Sequence, residues 1–269
     1  MRTPLLAAFL GLSLAGCLIG DSGTPGTGGG GDDGTGDPGT GSDPAGNPPP
    51  SATPDFTVAV DHNAVTTDLL STNMVTATVH ATGGFTGMVN LTAAVTDANG
   101  APLEGWTVTM ASQSVNITAN GDTPIVATVN VPAMSASLTG KVTITATPAT
   151  GTVKTIDSMF TVNNQITIPM SLDGTLGTCA KTANPQITIA QGTKVHWVNA
   201  DTTSRVVIHI QNNGTGITGF AHEPNPGMAP ATATTPGGNY DQTANSAGSI
   251  TWYCHAPGDD KQRYTITAK

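Results

Sequence analysis

Apolar and polar residues alternate in short runs through most of the chain after residue 54. This period of two is the pattern of β-strands that bury one face. Seven such runs, separated by Gly, Asn, Asp and Pro, fall within residues 55–164, and a second series fills residues 165–269. The pattern therefore predicts an all-β chain with two successive β-sandwiches.

A different pattern occupies the N-terminus. Arg2 precedes an apolar stretch at residues 5–14, and the segment Leu14-Ala-Gly-Cys17 resembles a bacterial lipobox. It predicts a signal peptide at residues 1–16 and a diacylated Cys17 that anchors the mature protein to a membrane. The alternative is an ordinary signal peptide with a chance cysteine. Because Leu18 is not the aspartate associated with inner-membrane retention, the expected location is the bacterial cell envelope, at the outer membrane or cell surface.

Residues 17–54 join this anchor to the first sandwich. After Cys17 they are rich in Gly, Asp, Thr and Pro and nearly free of bulky apolar side chains. Such a segment cannot bury enough surface to offset its chain entropy. We expect a disordered tether with a root-mean-square reach on the order of 30–35 Å.

Charge and composition argue against several functions. The formal net charge is −9, whereas nucleic-acid binding needs a basic surface. The sequence has no Ser-His-Asp pattern, no His-Glu-x-x-His motif and no phosphate-binding Gly-rich turn, so we predict no enzyme activity and no small-molecule substrate. In the first sandwich, His62 and His80 have no carboxylate partner nearby in the strand pattern and are expected to be surface or packing residues. Trp106 is expected to be a core residue.

Candidate chemistry is concentrated in the segment Gly248-Ser-Ile-Thr-Trp-Tyr-Cys-His-Ala-Pro-Gly258. On an extended strand, Ile250, Trp252 and Cys254 share one face, and His255 begins on the other. A buried thiol beside an imidazole is a candidate soft-metal site. The sequence has three cysteines, and acylation of Cys17 leaves two, so in an oxidising compartment a Cys179–Cys254 disulfide is the competing interpretation.

The C-terminal region resembles the cupredoxins, the blue copper proteins. The resemblance rests on the Tyr-Cys strand followed by Pro-Gly and a short last strand, on the paired strands PQITIAQGTKVHWVNAD at residues 185–201, and on PGGNYDQT at residues 236–243. The first region looks like bacterial immunoglobulin-like modules. The expected fold is therefore an immunoglobulin-like β-sandwich at residues 55–164 followed by a cupredoxin-like Greek-key β-sandwich at residues 165–269.

The cupredoxin resemblance implies one copper ion held by two histidines, a cysteine thiolate and a weak axial methionine. Cys254 matches the thiolate position. The first histidine position falls near Arg205 and the second on Asp259, and no methionine follows. The nearest substitutes complete a candidate ligand set of Cys254, His255, His209, His222 and Met228. His196 alternates with core residues and is expected at the surface.

The orientation of β-strand residues 206–210 affects this set. If Val206, Ile208 and Ile210 form the core face, His209 points outward.

Two functions follow. The leading hypothesis is a lipid-anchored, copper-binding envelope protein of cupredoxin type that transfers single electrons to a redox partner protein or holds copper. The alternative is a metal-free structural or adhesive surface lipoprotein, in which a degenerate cupredoxin fold is stapled by Cys179–Cys254.

Overall fold

The computed structural model describes residues 52–171, 186–211, 216–224, 227–232, 237–255 and 263–269, and for residues 208–211 and 255 it describes the backbone alone. The predictions of a signal peptide, an acylated Cys17 and a tether up to residue 51 lie outside the described residues, as does Cys179.

The described residues form strands and contain no helix, which confirms the all-β prediction. In the described part of the chain, no helix has the length and hydrophobicity needed to cross a membrane. The strands are β1 Asp55–Val60, β2 Ala64–Leu69, β3 Thr72–Thr82, β4 Gly87–Thr96, β5 Thr107–Met110, β6 Ser114–Ile117, β7 Asp122–Asn130, β8 Thr139–Pro148, β9 Lys154–Met170, β10 Gln186–Ile189, β11 Lys194–Asn199, β12 Val206–Gln211, β13 Asn239–Thr243, β14 Gly248–His255 and β15 Tyr264–Ala268.

Two facing sheets build the first sandwich. The four-stranded N-terminal sheet has the order β1-β3-β7-β5, and it faces β9, β8, β4 and β6 of a seven-stranded sheet. Alternate residues of each sheet point inward, so Phe56, Val79 and Ile125 of the first sheet meet Val89 and Leu91 of the second in one buried cluster. The predicted sandwich character is confirmed here.

Strand β9 connects the two predicted sandwiches. It is 17 residues long. Its first part, Lys154 to Thr161, pairs antiparallel with β8, and its last part, Gln165 to Met170, pairs parallel with β11. The predicted boundary between residues 164 and 165 thus lies inside one strand, and the described residues belong to one compact unit, Pro49–Lys269. Separate folding of the two halves stays a prediction.

A carboxylate of β2 stabilises β9 where the two predicted sandwiches meet. Asp68 of β2 accepts hydrogen bonds from Asn163 Nδ2 at 2.8 Å, Gln165 Nε2 at 2.9 Å and Thr167 Oγ1 at 2.5 Å, all on β9. Burial alone would raise the pKa of the Asp68 carboxyl, but these hydrogen bonds and the nearby His196 hold that pKa below its ordinary value. Asp68 therefore stays ionised and holds β2 against the middle of β9.

The second sandwich packs the C-terminal sheet, with the order β10-β15-β14-β12, against β9, β11 and β13 of the seven-stranded sheet. Its centre is aromatic. Trp197 of β11 meets Trp252 of β14 edge-on with ring centroids 5.8 Å apart, and Trp252 stacks on Tyr264 at 4.6 Å. Large aromatic side chains of this kind supply most of the apolar area that a small core can bury.

The structure adds two strands that the sequence pattern misses, β2 and β6. The sequence of β2, AVTTDL, is half polar and is held by parallel pairing with β9. The sequence of β6, SVNI, is four residues long. β2 therefore lacks clean alternation of apolar and polar residues, and β6 is too short for its alternation to stand out as a strand.

Candidate metal centre at the end of strand β14

The cysteine lies on the buried face of β14, as the alternation predicts. Ile250, Trp252 and Cys254 are all buried, and the exposed fraction of Cys254 is 0%. Antiparallel pairing with β12 places Val207 opposite Cys254. The sulfur therefore belongs to the core between the C-terminal sheet and the seven-stranded sheet.

Cys254 is disulfide-bonded. The sequence offers Cys17 and Cys179 as partners, and both lie outside the described residues. A sulfur in a disulfide has no thiolate to give to a metal. The predicted role of Cys254 as the copper thiolate therefore does not fit this oxidised state.

A buried ion pair lies at the expected position of the first histidine. Arg205 is 1% exposed, and its guanidinium donates to Oδ2 of Asp201, whose side chain is 17% exposed. A guanidinium stays protonated in proteins. This position therefore holds a guanidinium already paired with a carboxylate, and a guanidinium has no lone pair to offer a metal.

Met228 packs beside this ion pair. Its N–H donates to the Arg205 carbonyl at 2.8 Å, the Arg205 N–H donates back at 3.3 Å, and the Met228 residue is 2% exposed. At Gly227, an added Cβ would lie 2.6 Å from the Arg205 carbonyl oxygen, so only glycine fits the close approach. The predicted axial ligand is thus fixed in a tight backbone contact next to Arg205.

Glu223 covers the edge of β12. Its N–H donates to the Val207 carbonyl at 3.1 Å, and its carboxylate Oε2 accepts from the Val207 N–H at 2.8 Å. Burial raises the pKa of the Glu223 carboxyl above its ordinary value, against the opposing effects of the Val207 hydrogen bond and the His222 imidazole. The sequence analysis missed this residue because a lone glutamate in a long connection carries no pattern.

The structure describes the side chain of one candidate histidine, His222, and only the backbone of the other two. His222 is exposed, and its Nδ1 lies 2.5 Å from the main-chain oxygen of Glu223. His209 pairs through its backbone with Trp252, and His255 pairs with Val206. The side chains of His209 and His255 lie outside the described residues.

At the start of β12, the buried residues lie on the opposite face from the one considered from the sequence. Arg205 and Val207 are buried, whereas Val206 is only half-buried. Asp201 makes this possible because it neutralises a cation on the inward face.

The remaining histidines each meet a carboxylate. His196 contacts Asp241 across β11 and β13, and it lies at the half-exposed surface. His80 contacts Asp122 across β3 and β7. The prediction that His80 lacks a carboxylate partner is wrong, because Asp122 is distant in sequence and adjacent only in the folded sheet.

His62 is similar. Its Nδ1 lies 3.1 Å from its neighbour Asp61, and its side chain is exposed. The expectation that it has no carboxylate nearby is also wrong, although both histidines lie at the surface.

No family model and no curated protein matches the sequence. Among solved structures, a family 123 glycoside hydrolase from Clostridium perfringens is 11% identical over 43% of this chain and 31% of its own, with a TM-score of 0.34. The chain therefore spans less than a third of that protein. The Salmonella enterica SafA pilin in complex with the SafB chaperone is 13% identical over 80% of this chain and 98% of its own, with a TM-score of 0.29.

The N-terminal Ig1-2 module of the Drosophila receptor protein tyrosine phosphatase DLAR is 11% identical over 79% of this chain and 99% of its own, with a TM-score of 0.25. Similarities with such low sequence identities and TM-scores support no conclusion about family or function.

The donor set that the described residues offer does not fit copper in the disulfide form. Cys254 is committed to a disulfide, and the first histidine position holds Arg205, paired with Asp201 and without a lone pair for a metal. Within the described ranges, no group of three or more His, Cys, Asp or Glu side chains is arranged to hold a metal ion. The arrangement is that of a cross-linked, closely packed end of a β-sandwich.

Proposed function

We propose that this chain is a metal-free structural or adhesive surface lipoprotein, whose cupredoxin-like second half is stapled by a disulfide between Cys179 and Cys254. The observation that carries the proposal is the disulfide at Cys254 on the buried face of β14. Cys179 is the partner because acylation removes Cys17 from the choice. The lipid anchor at Cys17 places the protein in the cell envelope, and the membrane is its partner.

Two further features support a mechanical role. The seven-stranded sheet runs through both halves of the described chain, and one hydrophobic cluster extends from Val75 in the first half to Ile266 in the second. A shared strand and a shared core resist independent motion of the halves, which suits a rigid module held away from a membrane by a tether.

The test compares two matched substitutions in the full chain. A disulfide stabilises a protein mainly by restricting the conformations of the unfolded chain. Cys254→Ser and Cys179→Ser should therefore lower the free energy of unfolding alike, by about 2–4 kcal/mol. Denaturant unfolding measures this. If Cys179→Ser leaves stability unchanged while Cys254→Ser lowers it, Cys179 is not the partner of Cys254 and the proposed disulfide is wrong.

Copper binding by the reduced chain is the second candidate. The observation that favours it is the pairing of β12 with β14, which brings His209, Cys254 and His255 within a few residues of one another on neighbouring strands. Met228 lies beside the same end of β12. After reduction, Cu(II) should then produce intense visible absorption that Cys254→Ser abolishes.

A further inference from the structure

In each half of the described chain, an early strand pairs parallel with a late one. β2, near the start of the first sandwich, pairs parallel with β9, its last strand. β10 and β15, the first and last strands that lie wholly within the second half, also pair parallel. In the described part of the chain, the one other parallel pair joins β9 to β11, and the remaining pairs are antiparallel.

Parallel pairing determines how two strands respond to tension. The start of one strand and the end of the other lie at opposite ends of a parallel ladder. Pulling these two points apart slides the strands along each other, so all the ladder hydrogen bonds are strained together. In an antiparallel hairpin the same two points lie at one end, and the hydrogen bonds break one after another. Sliding therefore needs the higher force.

The first sandwich meets tension along the chain in the sliding geometry. Tension from the N-terminal side acts first on β1 and then on β2. Oδ2 of Asp55, at the start of β1, lies 2.9 Å from Nζ of Lys154, at the start of β9, so tension enters where β9 begins. It leaves at Met170, where the 17-residue β9 ends. With a rise of about 3.3 Å per residue, these two ends of β9 lie roughly 50 Å apart.

A side chain reinforces the β2–β9 pair against sliding. The Asp68 carboxylate of β2 accepts hydrogen bonds from Asn163, Gln165 and Thr167, which follow one another along β9. Asp68 is half-buried, so water competes less for its oxygens than at an exposed site. Movement of β2 along β9 breaks all three hydrogen bonds together.

The second half meets the same tension in the same geometry. With a Cys179–Cys254 disulfide closed, tension passes through the cross-link to the end of β14 and leaves through Lys269, after β15. Because β14 and β15 are antiparallel and each is pulled at its C-terminal end, they slide in opposite directions. In the reduced chain tension enters β10 instead, and its parallel pairing with β15 again gives sliding.

We propose that this chain bears tension along its length and that the parallel pair of β2 and β9 is the element that resists it. The proposal rests on the structural role proposed above and gives that role a direction. An anchor on the N-terminal side and a contact made by the second half apply tension in this direction.

Single-molecule pulling in two directions tests the proposal on the full chain carrying Cys17→Ser. In the first direction, attachment tags at the two termini pull the β2–β9 ladder from opposite ends. In the second, the C-terminal tag is replaced by one inserted after Thr152, in the exposed loop between β8 and β9. The N-terminal tag and the inserted tag then pull on the same end of the ladder, and β2 peels from β9.

The event that unfolds the first sandwich is recognised by its gain in length. Because forced unfolding is governed by the unfolding rate, this event should need about twofold higher force or more when the chain is pulled from its termini. Equal forces in the two directions overturn the proposal.

Two matched substitutions locate the resistance. Asp68→Ala removes the carboxylate that joins β2 to β9. Asp157→Ala removes a carboxylate of the same sheet that joins β9 to β8, where it accepts from Thr143 Oγ1 at 2.6 Å. Pulled from the termini at a fixed force, Asp68→Ala should unfold about tenfold faster or more, and Asp157→Ala less than about threefold faster. If both variants accelerate unfolding alike, β2 and β9 are not the resisting pair.

The same recordings separate this proposal from the disulfide proposed above. A Cys179–Cys254 disulfide withholds about 75 residues from the extended chain, or about 250–270 Å of length. Reductant should therefore lengthen the fully unfolded chain by that amount. If it does not, the proposed disulfide is wrong, and the comparison of the two pulling directions still decides whether β2 and β9 resist tension.

Discussion

The ion pair between Asp201 and Arg205 occupies the expected position of the first copper histidine. Its contribution to the free energy of unfolding can be measured by substitution. Removing one partner of a buried pair costs about 3–5 kcal/mol, because the other charge is left buried without compensation. Arg205 is 1% exposed and Asp201 is 17% exposed at the side chain. Asp201→Asn removes the carboxylate that contacts the more deeply buried Arg205 guanidinium, so we expect a loss of about 3 kcal/mol.

The reverse substitution should cost less. Arg205→Met keeps a long apolar side chain in the core, and the remaining Asp201 carboxylate can reach water, so we expect a loss of about 1 kcal/mol. The double variant should be more stable than Asp201→Asn alone, since no buried charge remains.

Denaturant and thermal unfolding of the disulfide-intact chain measure these differences. For a folded unit of this size, about 3 kcal/mol corresponds to a fall in Tm of about 6–12 °C. Equal losses for Arg205→Met and Asp201→Asn, or a double variant that is the least stable of the three, would show that the buried charge does not determine these costs.

Two further predictions concern other parts of the chain. Because the pKa of Glu223 is raised in the folded state, its contribution to stability is present below its ordinary value of 4.5 and lost as pH rises through the folded pKa. Glu223→Gln keeps an acceptor for Val207, so it should stabilise the chain at neutral pH and lose that advantage as pH falls; an equal advantage in acid would contradict the burial argument. Cys17→Ser should abolish detergent partitioning of the mature protein, and membrane association that survives it would contradict the lipobox interpretation.

The strands follow from the sequence where alternation is strong. β11 and β13 have the predicted limits because Val195 and Trp197 share one buried face of β11 and Tyr240 lies between polar neighbours on β13. The continuity of β9 is not predictable in this way. Asn163 and Asn164 interrupt its apolar pattern, and the strand persists because Asp68 and β11 supply hydrogen bonds from distant parts of the chain.

The candidate site was predictable only in part. The buried face of Cys254 follows from the period of two, and the competition between thiolate and disulfide follows from the cysteine count. The burial of Arg205 does not follow from local sequence, because a charged residue is placed inside a core only when a specific partner is present. The position of Glu223 depends likewise on a loop that folds back on β12.

Counting free thiols is the most direct test of the proposed Cys179–Cys254 disulfide. The full chain with Cys17→Ser, purified without reductant and unfolded in denaturant, contains Cys179 and Cys254 as its remaining cysteines. With the disulfide in place, neither thiol should react with a thiol reagent until reductant is added, and Cu(II) added to the folded, unreduced chain should produce no intense visible absorption. Two free thiols before reduction, together with an intense blue or green colour on adding Cu(II), would contradict it.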